Sequence, residues 1–185
     1  MFEQLSQIVQ EYGKTTIVQN NSIPDDQNEA VINETSNSIF SSLQKMVSDG
    51  DLSQLASILK SEKLDGNNPA IKEITNSVSS SLSEKFGLSS ATASGAVSTI
   101  IPQILNSLIE KAKNPKDSSI NLSDIANALS VGNSAQNEGI MEMISIYGIH
   151  FGLDQNADGK VDIDDAIELS KKGGVSGMFK KLFGN

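Results

Sequence analysis

Residues 100–108 read Ile100-Ile101-Pro102-Gln103-Ile104-Leu105-Asn106-Ser107-Leu108. With Val97 before this stretch and Ala112 after it, its apolar side chains recur at intervals of three and four residues, the period of one face of an α-helix. An earlier stretch has the same pattern, with apolar residues at Ile32, Ile39, Phe40, Leu43, Met46 and Val47. No segment alternates apolar and polar residues for long enough to predict a strand. The sequence therefore predicts an all-α fold.

The two stretches belong to a longer internal repeat. At an offset of 65 residues, Ile39-Phe40-Ser41-Ser42-Leu43 aligns with Ile104-Leu105-Asn106-Ser107-Leu108, and at an offset of 70, residues 51–59 align with residues 121–129. In each copy, residues 25–60 and 89–130, a long amphipathic helix precedes a short helix that begins at a capping residue, Asp51 or Asn121. Two such units would bury each other's apolar faces, which predicts a helical bundle of two similar helix-turn-helix units. The alternative is a chance likeness between two amphipathic helices.

Local signals divide the region between the two copies. A connecting helix is predicted over residues 68–85, with Gly87 ending it and Ser89 or Ser90 capping the next helix. Pro102 lies within that next helix, and the apolar stripe keeps its phase on both sides of the proline. We therefore expect Pro102 to kink this helix rather than break it. The serines around these helices predict close helix packing rather than a linker.

A family resemblance is carried by three motifs in this region. They are Gly87-Leu88-Ser89-Ser90, Ile100-Ile101-Pro102-Gln103-Ile104-Leu105-Asn106-Ser107-Leu108 and Asn121-Leu122-Ser123-Asp124-Ile125. Residues 25–130 thereby resemble the YidB-like family of bacterial helical domains of unknown function. The resemblance implies a helical fold and a bacterial source, and it supplies no catalytic residues.

Composition and charge exclude several classes of protein. The 185 residues carry a formal net charge of −9, which argues against nucleic acid as a partner, and they include no cysteine for disulfides or zinc-thiolate sites. The first residues lack the basic start and apolar run of a signal peptide, and no run of about 18 apolar residues predicts a membrane span. We therefore expect a cytoplasmic protein with no membrane-spanning segment.

The most informative stretch is Asp154-Gln155-Asn156-Ala157-Asp158-Gly159-Lys160-Val161-Asp162-Ile163-Asp164-Asp165. Counted from Asp154, side chains that contain oxygen occupy positions 1, 3, 5, 9 and 12, glycine is at position 6, and a β-branched residue is at position 8. Calcium prefers six to eight oxygen ligands, and a chain that curls around the ion directs alternate side chains inward. Glycine permits the sharp turn that such a loop needs. This spacing predicts a metal site.

The same stretch resembles an EF-hand loop, and its aspartate at position 12 makes it similar to half of a dockerin calcium repeat. The resemblance implies side-chain ligation by Asp154, Asn156, Asp158 and Asp165, carbonyl ligation by Lys160, and ligation by Asp162 directly or through water. Asp165 is shorter than the glutamate usual in EF-hands, so magnesium competes better with calcium for the site. EF-hand loops and dockerin repeats normally occur in pairs, and the sequence contains no second loop. The alternative is an acidic turn, with Asp162 as the cap of a following helix.

The loop and its flanking segments divide the chain into three predicted parts. Residues 1–133 form the helical bundle, residues 134–172 form the EF-hand-like helix-loop-helix with an entering helix over 140–151, and residues 173–185 form a basic amphipathic tail. Because EF-hand sensors normally have paired loops, a single loop favours a structural clamp over a sensor. The tail combines the apolar residues Met178, Phe179, Leu182 and Phe183 with two lysines. The N-terminal helix is also amphipathic. Because amphipathic segments at both ends offer contact surfaces, we expect a homo-oligomer or a protein partner. Membrane binding is the less favoured alternative.

Catalytic signatures are weak. His150 is the chain's single histidine, and a packing or capping role is favoured over general-base catalysis. Glu138 and Glu142 are spaced as i and i+4 on one helix face, which is typical of solvated surface. We therefore expect a non-catalytic calcium-binding structural or interaction protein. The alternatives are a metal-dependent hydrolase with an acidic site and a membrane-peripheral factor that uses its basic tail.

Overall fold

The computed structural model describes residues 2–61, 63–113, 119, 122–148 and 157, and within these residues it contains helices and no strand. The elements are α1 (Phe2–Thr16), a short 3-10 helix (Asp25–Gln27), α2 (Asn28–Ser48), α3 (Leu52–Lys60), α4 (Pro69–Phe86), α5 (Ser90–Val97), α6 (Ile100–Lys113), α7 (Leu122–Leu129) and α8 (Ser134–Gly148). The all-α prediction is confirmed.

The order of helix lengths is the one that the repeat predicts. The long helix α2 is followed by the short helix α3, and the long helix α6 is followed by the short helix α7. The apolar stripes that defined the repeat are buried, with Ile39, Ile101 and Ile104 each 0% exposed. The same packing encloses Leu5, Ile8 and Val9 of α1, so the N-terminal amphipathic helix completes a core rather than offering a free surface.

The chain forms two compact units. One consists of residues 2–45 and 61–108 and is called the α4 unit; the other consists of residues 46–60 and the chain from residue 109 onward and is called the α8 unit. The α4 unit includes α1, α4, α5 and most of α2, whereas the α8 unit includes α3, α7 and α8. The boundaries predicted from sequence at residues 133 and 172 stay a prediction.

Helix α4 begins and ends at the residues that its sequence indicates. Asn68 caps it, since the Asn68 side chain accepts hydrogen bonds from the backbone N–H groups of Ala70 and Ile71. Gly87 ends it with φ at 66°, a left-handed conformation that glycine adopts without the strain a Cβ atom would cause. Two residues later Ser89 caps α5 by accepting a hydrogen bond from Thr92 N at 3.1 Å. These predictions are confirmed.

The predicted kink at Pro102 is wrong, because the helix is instead interrupted three residues before the proline. Helix α5 ends at Val97, Ser98 and Thr99 form a turn, and α6 begins at Ile100. Pro102 is therefore the third residue of α6, where backbone N–H groups have no partner within the helix. A proline at this position removes no helical hydrogen bond, so it belongs to the start of a helix rather than to a bent one. The turn preserves the phase of the apolar stripe, which is why the sequence alone suggested one continuous helix.

Helix α2 has buried hydroxyl side chains whose hydrogen-bond partners are carbonyl oxygens of the same helix. Thr35 and Ser36 are 0% exposed, and their hydroxyl groups donate to the carbonyl oxygens of Val31 and Ile32, one turn earlier. The buried Ser42 donates in the same way to Ser38 O at 2.7 Å. Because each hydroxyl bonds within its own helix, the core contains no unsatisfied hydroxyl at these positions.

A carboxylate contact joins α2 to α4 inside the α4 unit. Glu34 accepts hydrogen bonds from Ser38 Oγ at 2.9 Å, from Ser81 Oγ at 2.6 Å and from Lys85 Nζ at 2.7 Å. Burial by itself would raise the pKa of Glu34, but these three hydrogen bonds and the charge of Lys85 lower the pKa below its usual value. The carboxylate is therefore held in its charged form.

Leu64, which lies between α3 and α4, is held by the amide side chain of a residue in α6. Asn106 of α6 accepts a hydrogen bond from Leu64 N at 2.9 Å and donates one to Leu64 O at 3.0 Å. Both backbone groups of Leu64, which is 2% exposed, are thereby satisfied away from water.

Candidate functional site

The predicted calcium loop lies almost entirely outside the described residues. This applies to all six predicted ligands, Asp154, Asn156, Asp158, Lys160, Asp162 and Asp165, and also to His150 and to the tail at residues 173–185. Within the loop the structure describes Ala157, which is exposed and has φ at 60°. Calcium ligation therefore stays a prediction, and the described residues contribute the helix that leads toward the loop.

That helix is α8, which spans Ser134–Gly148. The sequence predicted an entering helix over residues 140–151, and α8 starts six residues earlier because Asn133 caps it, its Oδ1 accepting from Gln136 N at 3.2 Å. The first turns carry polar side chains and no apolar period, which hid their helical state in the sequence. Farther along, Ile140 and Met143 are buried and anchor α8 in the α8 unit.

Helix α8 packs against two helices of its unit, α3 and α7. These two occupy corresponding positions in the predicted repeat, as the short helix that follows the long helix of each copy. Within the described part of the unit, α8 thus contacts one helix from each copy of the predicted repeat.

The contact between α8 and α3 is close. A Cβ atom at Gly139 of α8 would lie 3.1 Å from Cδ1 of Leu52 in α3, whereas carbon atoms in good contact are separated by about 3.5–4.0 Å. Any larger residue at this position would have to push α3 and α8 apart or move the leucine side chain. Glycine therefore permits the approach of the two helices.

The contact between α8 and α7 is polar at its edge. Asn137 Nδ2 of α8 donates to Asn127 Oδ1 of α7 at 2.6 Å.

A tight turn connects α7 to α8. In this turn Asn133 N donates to Ser130 O at 2.8 Å, and φ is 50° at Val131 and 77° at Gly132. Two successive positive φ values define a type I′ turn, which is typical of glycine and asparagine. A β-branched residue there is strained, and Val131 is 73% exposed.

Helix α3 begins at the capping residue predicted from the sequence. The Asp51 carboxylate accepts hydrogen bonds from Ser53 Oγ and from Gln54 Nε2, each at 2.6 Å. These bonds lower the pKa of Asp51 below its usual value, with the Ser53 hydroxyl as the larger cause. The corresponding residue of the second copy, Asn121, lies outside the described residues.

Two surface grooves accompany these helices. In the α8 unit, a groove of about 300 Å³ between α7 and α8 is lined by Asn127, Ser130, Gly132, Asn133, Ser134, Asn137 and Glu138. In the α4 unit, a groove of about 400 Å³ between α4 and α5 is lined by Asn76, Ser79, Ser80, Ser83, Glu84, Ser90 and Ser94. Both linings consist of serine, asparagine, glutamate and glycine residues, so both grooves are polar.

The other acidic candidates lie on the surface. Glu138 and Glu142 are both exposed on α8, which confirms the prediction of a solvated face. Across the described ranges, no group of three or more His, Asp or Glu side chains is placed to share a metal ion. No helix in the same ranges is long and apolar enough to cross a membrane.

Sequence reasoning missed two contacts that shape these units. Glu34 and Lys85 are 51 residues apart, and Leu52 and Gly139 are farther apart still, so no local spacing joins either pair. The one available signal was Gly139 itself, because glycine in a helix interior costs about 1 kcal/mol relative to alanine and so suggests a packing reason.

Comparison with known proteins gives one family match. A family model described as "Bacterial protein of unknown function (DUF937)" matches residues 70–184. The matched region starts within α4 and includes the predicted loop and most of the tail. No curated protein and no solved structure matches the chain.

Proposed function

Because the chain belongs to DUF937, a family of bacterial proteins of unknown function, we propose a role from its own residues: a non-catalytic, calcium-binding helical protein that acts in structural support and interaction. The resemblance to YidB-like domains is part of this proposal, as the finer description of the helical region. Self-association is its second part.

The observation that carries the proposal is the spacing of residues 154–165. Five oxygen-bearing side chains and one glycine occupy the positions that a calcium loop requires, and a stabilised acidic turn would not need all of them. The loop follows α8 after five residues and falls within the part of the chain that the family model matches. It is thus part of the family region rather than an addition to it.

The packing of α8 supports a clamp over a sensor. A sensor loop changes the exposure of an apolar groove, which requires helices that are free to reorient. Helix α8 is instead held by α3 and α7, with Ile140 1% exposed and Met143 6% exposed. An ion bound beyond the C-terminal end of such a helix would restrict the chain that follows α8 and thereby stabilise the α8 unit.

Thermal unfolding of the full chain, with calcium and with a chelator, tests the proposal. Calcium at one hundred times its dissociation constant adds about 2.7 kcal/mol of stability, which raises Tm by about 5–10 °C in a chain of this size. Asp158→Asn should abolish most of that increase, whereas Asp164→Asn, an acid of the same loop outside the predicted ligand set, should retain it. An unchanged Tm at millimolar calcium refutes the site. A parallel titration with magnesium identifies which ion the loop prefers.

Self-association is proposed through the C-terminal segment. The apolar stripe of α1 is buried within the α4 unit, so this part of the proposal rests on the amphipathic sequence of residues 173–185. Residues 170–185 carry four lysines and no acid, whereas the rest of the chain is strongly acidic, so charge favours contact with a second copy. Size-exclusion chromatography with light scattering should show an oligomer that dissociates at high salt. A monomer with calcium and with chelator refutes this part.

A further inference from the structure

We propose that Asp65 is a site of isoaspartate formation, a covalent modification that moves the main chain from the α-carboxyl to the β-carboxyl group of an aspartate. Asp65 lies in the turn that precedes α4, so the modification loosens the start of that helix. The residues that react, and those that the change affects, are described and belong to the α4 unit. The inference is independent of the proposed function, because it involves neither the calcium loop nor the tail.

The reaction needs only Asp65, the residue that follows it, Gly66, and water. The backbone nitrogen of Gly66 attacks Cγ of Asp65 in its carboxylic acid form, and a C–N bond forms while the carboxyl hydroxyl leaves as water with the amide proton. The product is a succinimide ring. Water then adds to the main-chain carbonyl of the ring and breaks the bond from that carbonyl to the Gly66 nitrogen, so Gly66 remains joined to Cγ. The reaction uses no oxidant and leaves the mass of the chain unchanged.

The turn holds the two reacting groups close together and open to water. Asp65 and Gly66 are both exposed. Asp65 Oδ1 accepts a hydrogen bond from Asn67 N at 2.8 Å, so the carboxyl group is folded back along the backbone toward Gly66, as in other turns of this kind. Within the described ranges, the N–H group of Gly66 donates to no other residue. Its proton is therefore accessible to a base from solvent.

The backbone at Gly66 does not require glycine. Its φ lies outside the left-handed region, in contrast to the φ of Gly50 and Gly87. A Cβ atom built on Gly66 would meet nothing within 4 Å, so alanine fits this position without strain. What glycine provides here is a backbone nitrogen that no side chain shields, and closure of the succinimide ring depends on that nitrogen.

A second Asp–Gly pair, Asp49–Gly50, shows how the backbone can protect such a site. Gly50 N donates to Val47 O at 3.1 Å, and Gly50 has φ at 75°. This hydrogen bond must break before the nitrogen can attack, and the net contribution of one such bond corresponds to a factor of about fivefold. Isomerisation at Asp49 should therefore be about fivefold slower than at Asp65.

The modification changes a turn whose two ends are held in place. On one side Leu64 is hydrogen-bonded to Asn106, and on the other side Asn68 caps α4 by accepting from Ala70 N at 3.0 Å. Between them, Asp65 O accepts from Asn68 N at 3.3 Å. An isoaspartate at position 65 adds a methylene group to the main chain and displaces this carbonyl. Loss of a helix cap lowers the equilibrium constant for folding by about fivefold, and we expect a loss of this size.

The experiment is incubation of the full chain in neutral buffer for several weeks, followed by peptide mapping with chromatography and mass spectrometry. The peptide that contains Asp65 should separate into two species of equal mass and different retention, with a minor succinimide species that is lighter by one water. Gly66→Ala is the matched variant, and it should slow this conversion severalfold without changing the Tm of the fresh protein. The peptide that contains Asp49 is the internal control and should convert about fivefold more slowly.

Peptide mapping also reports the pair Asp158–Gly159, which lies outside the described residues, so each site is followed separately. The inference is overturned if the Asp65 peptide stays a single species, or if Asp49 converts as fast as Asp65. An equal rate at Asp65 in Gly66→Ala also overturns it. Should Gly66→Ala fail to fold, Asp65→Glu takes its place, because the longer side chain closes a larger ring more slowly.

Urea denaturation of incubated samples tests the effect on α4. The incubated wild type should contain a fraction whose equilibrium constant for folding is about fivefold lower, in proportion to the isoaspartate at position 65. Incubated Gly66→Ala should unfold like the fresh protein. Equal stability of the incubated and fresh wild type, with isoaspartate present at Asp65, refutes the effect on the start of α4.

Discussion

Replacing Glu34 with glutamine measures how much the carboxylate contact between α2 and α4 stabilises the protein. The Glu34 side chain is 12% exposed and that of Lys85 is 58% exposed, so the ion pair is shielded at one end and hydrated at the other. An exposed ion pair contributes about 0–1 kcal/mol, and loss of one partner of a fully buried pair costs about 3–5 kcal/mol. The contact lies between these cases, so we expect Glu34→Gln to lower the free energy of unfolding by about 2 kcal/mol at pH 7.

The pH dependence of this effect follows from the direction of the pKa shift. Because the folded state lowers the pKa of Glu34, its contribution to stability is fully present above the unfolded value of about 4.3 and is lost as the pH falls through the folded pKa. The difference in stability between the wild type and Glu34→Gln should therefore shrink as the pH is lowered from 7 to about 3.

Urea denaturation followed by far-UV circular dichroism, at a series of pH values, measures both quantities. Glu73→Gln is the control, since Glu73 is an exposed glutamate on α4, and it should change stability by less than about 0.5 kcal/mol. The reasoning is refuted if Glu34→Gln unfolds with the same free energy as the wild type at pH 7. It is also refuted if the difference between them is the same at both ends of the pH series.

Two further predictions concern single residues. Val131→Gly should raise the free energy of unfolding by about 1 kcal/mol, because glycine relieves the strain of φ at 50°. The valine side chain is 73% exposed, so its removal costs little packing. A decrease in the free energy of unfolding, measured by urea denaturation, would contradict this. Asn106→Ala should lower the free energy of unfolding by about 2–3 kcal/mol, because it leaves Leu64 N and Leu64 O buried without partners. Gln103→Ala, at an exposed position of the same helix, is the matched control, and equal losses in the two variants would contradict the role given to Asn106.

Local signals predicted most of the helical framework. Asn68, Gly87 and Ser89 each act on backbone groups within three or four residues, so their roles can be deduced from neighbouring positions alone. The turn at Ser98 and Thr99 was missed because its conformation preserves the phase of the apolar stripe, which is the quantity that sequence reasoning follows. A proline in the first turn of a helix and one that bends a helix also look alike in sequence.

Contacts between distant residues could not be predicted in this way. The pairing of Glu34 with Lys85 and the approach of Gly139 to Leu52 depend on which helix faces which, and helical periodicity specifies a buried face without naming its partner. For the candidate site, the sequence supplied the ligand spacing of residues 154–165, and the structure supplied the anchoring of α8. The two kinds of observation are complementary because one concerns local spacing and the other concerns packing.

The shared position of α8 limits how this architecture can grow. Open solenoids lengthen by adding repeats, since each new repeat packs on the one before it. Here α3 and α7, the short helices of the two copies in the predicted repeat, both pack against α8. A third copy inserted by gene duplication would bring another short helix with no α8 to receive it, so its apolar side would remain in water. In the predicted repeat the two copies therefore share one helix, and each further copy would need a covering helix of its own.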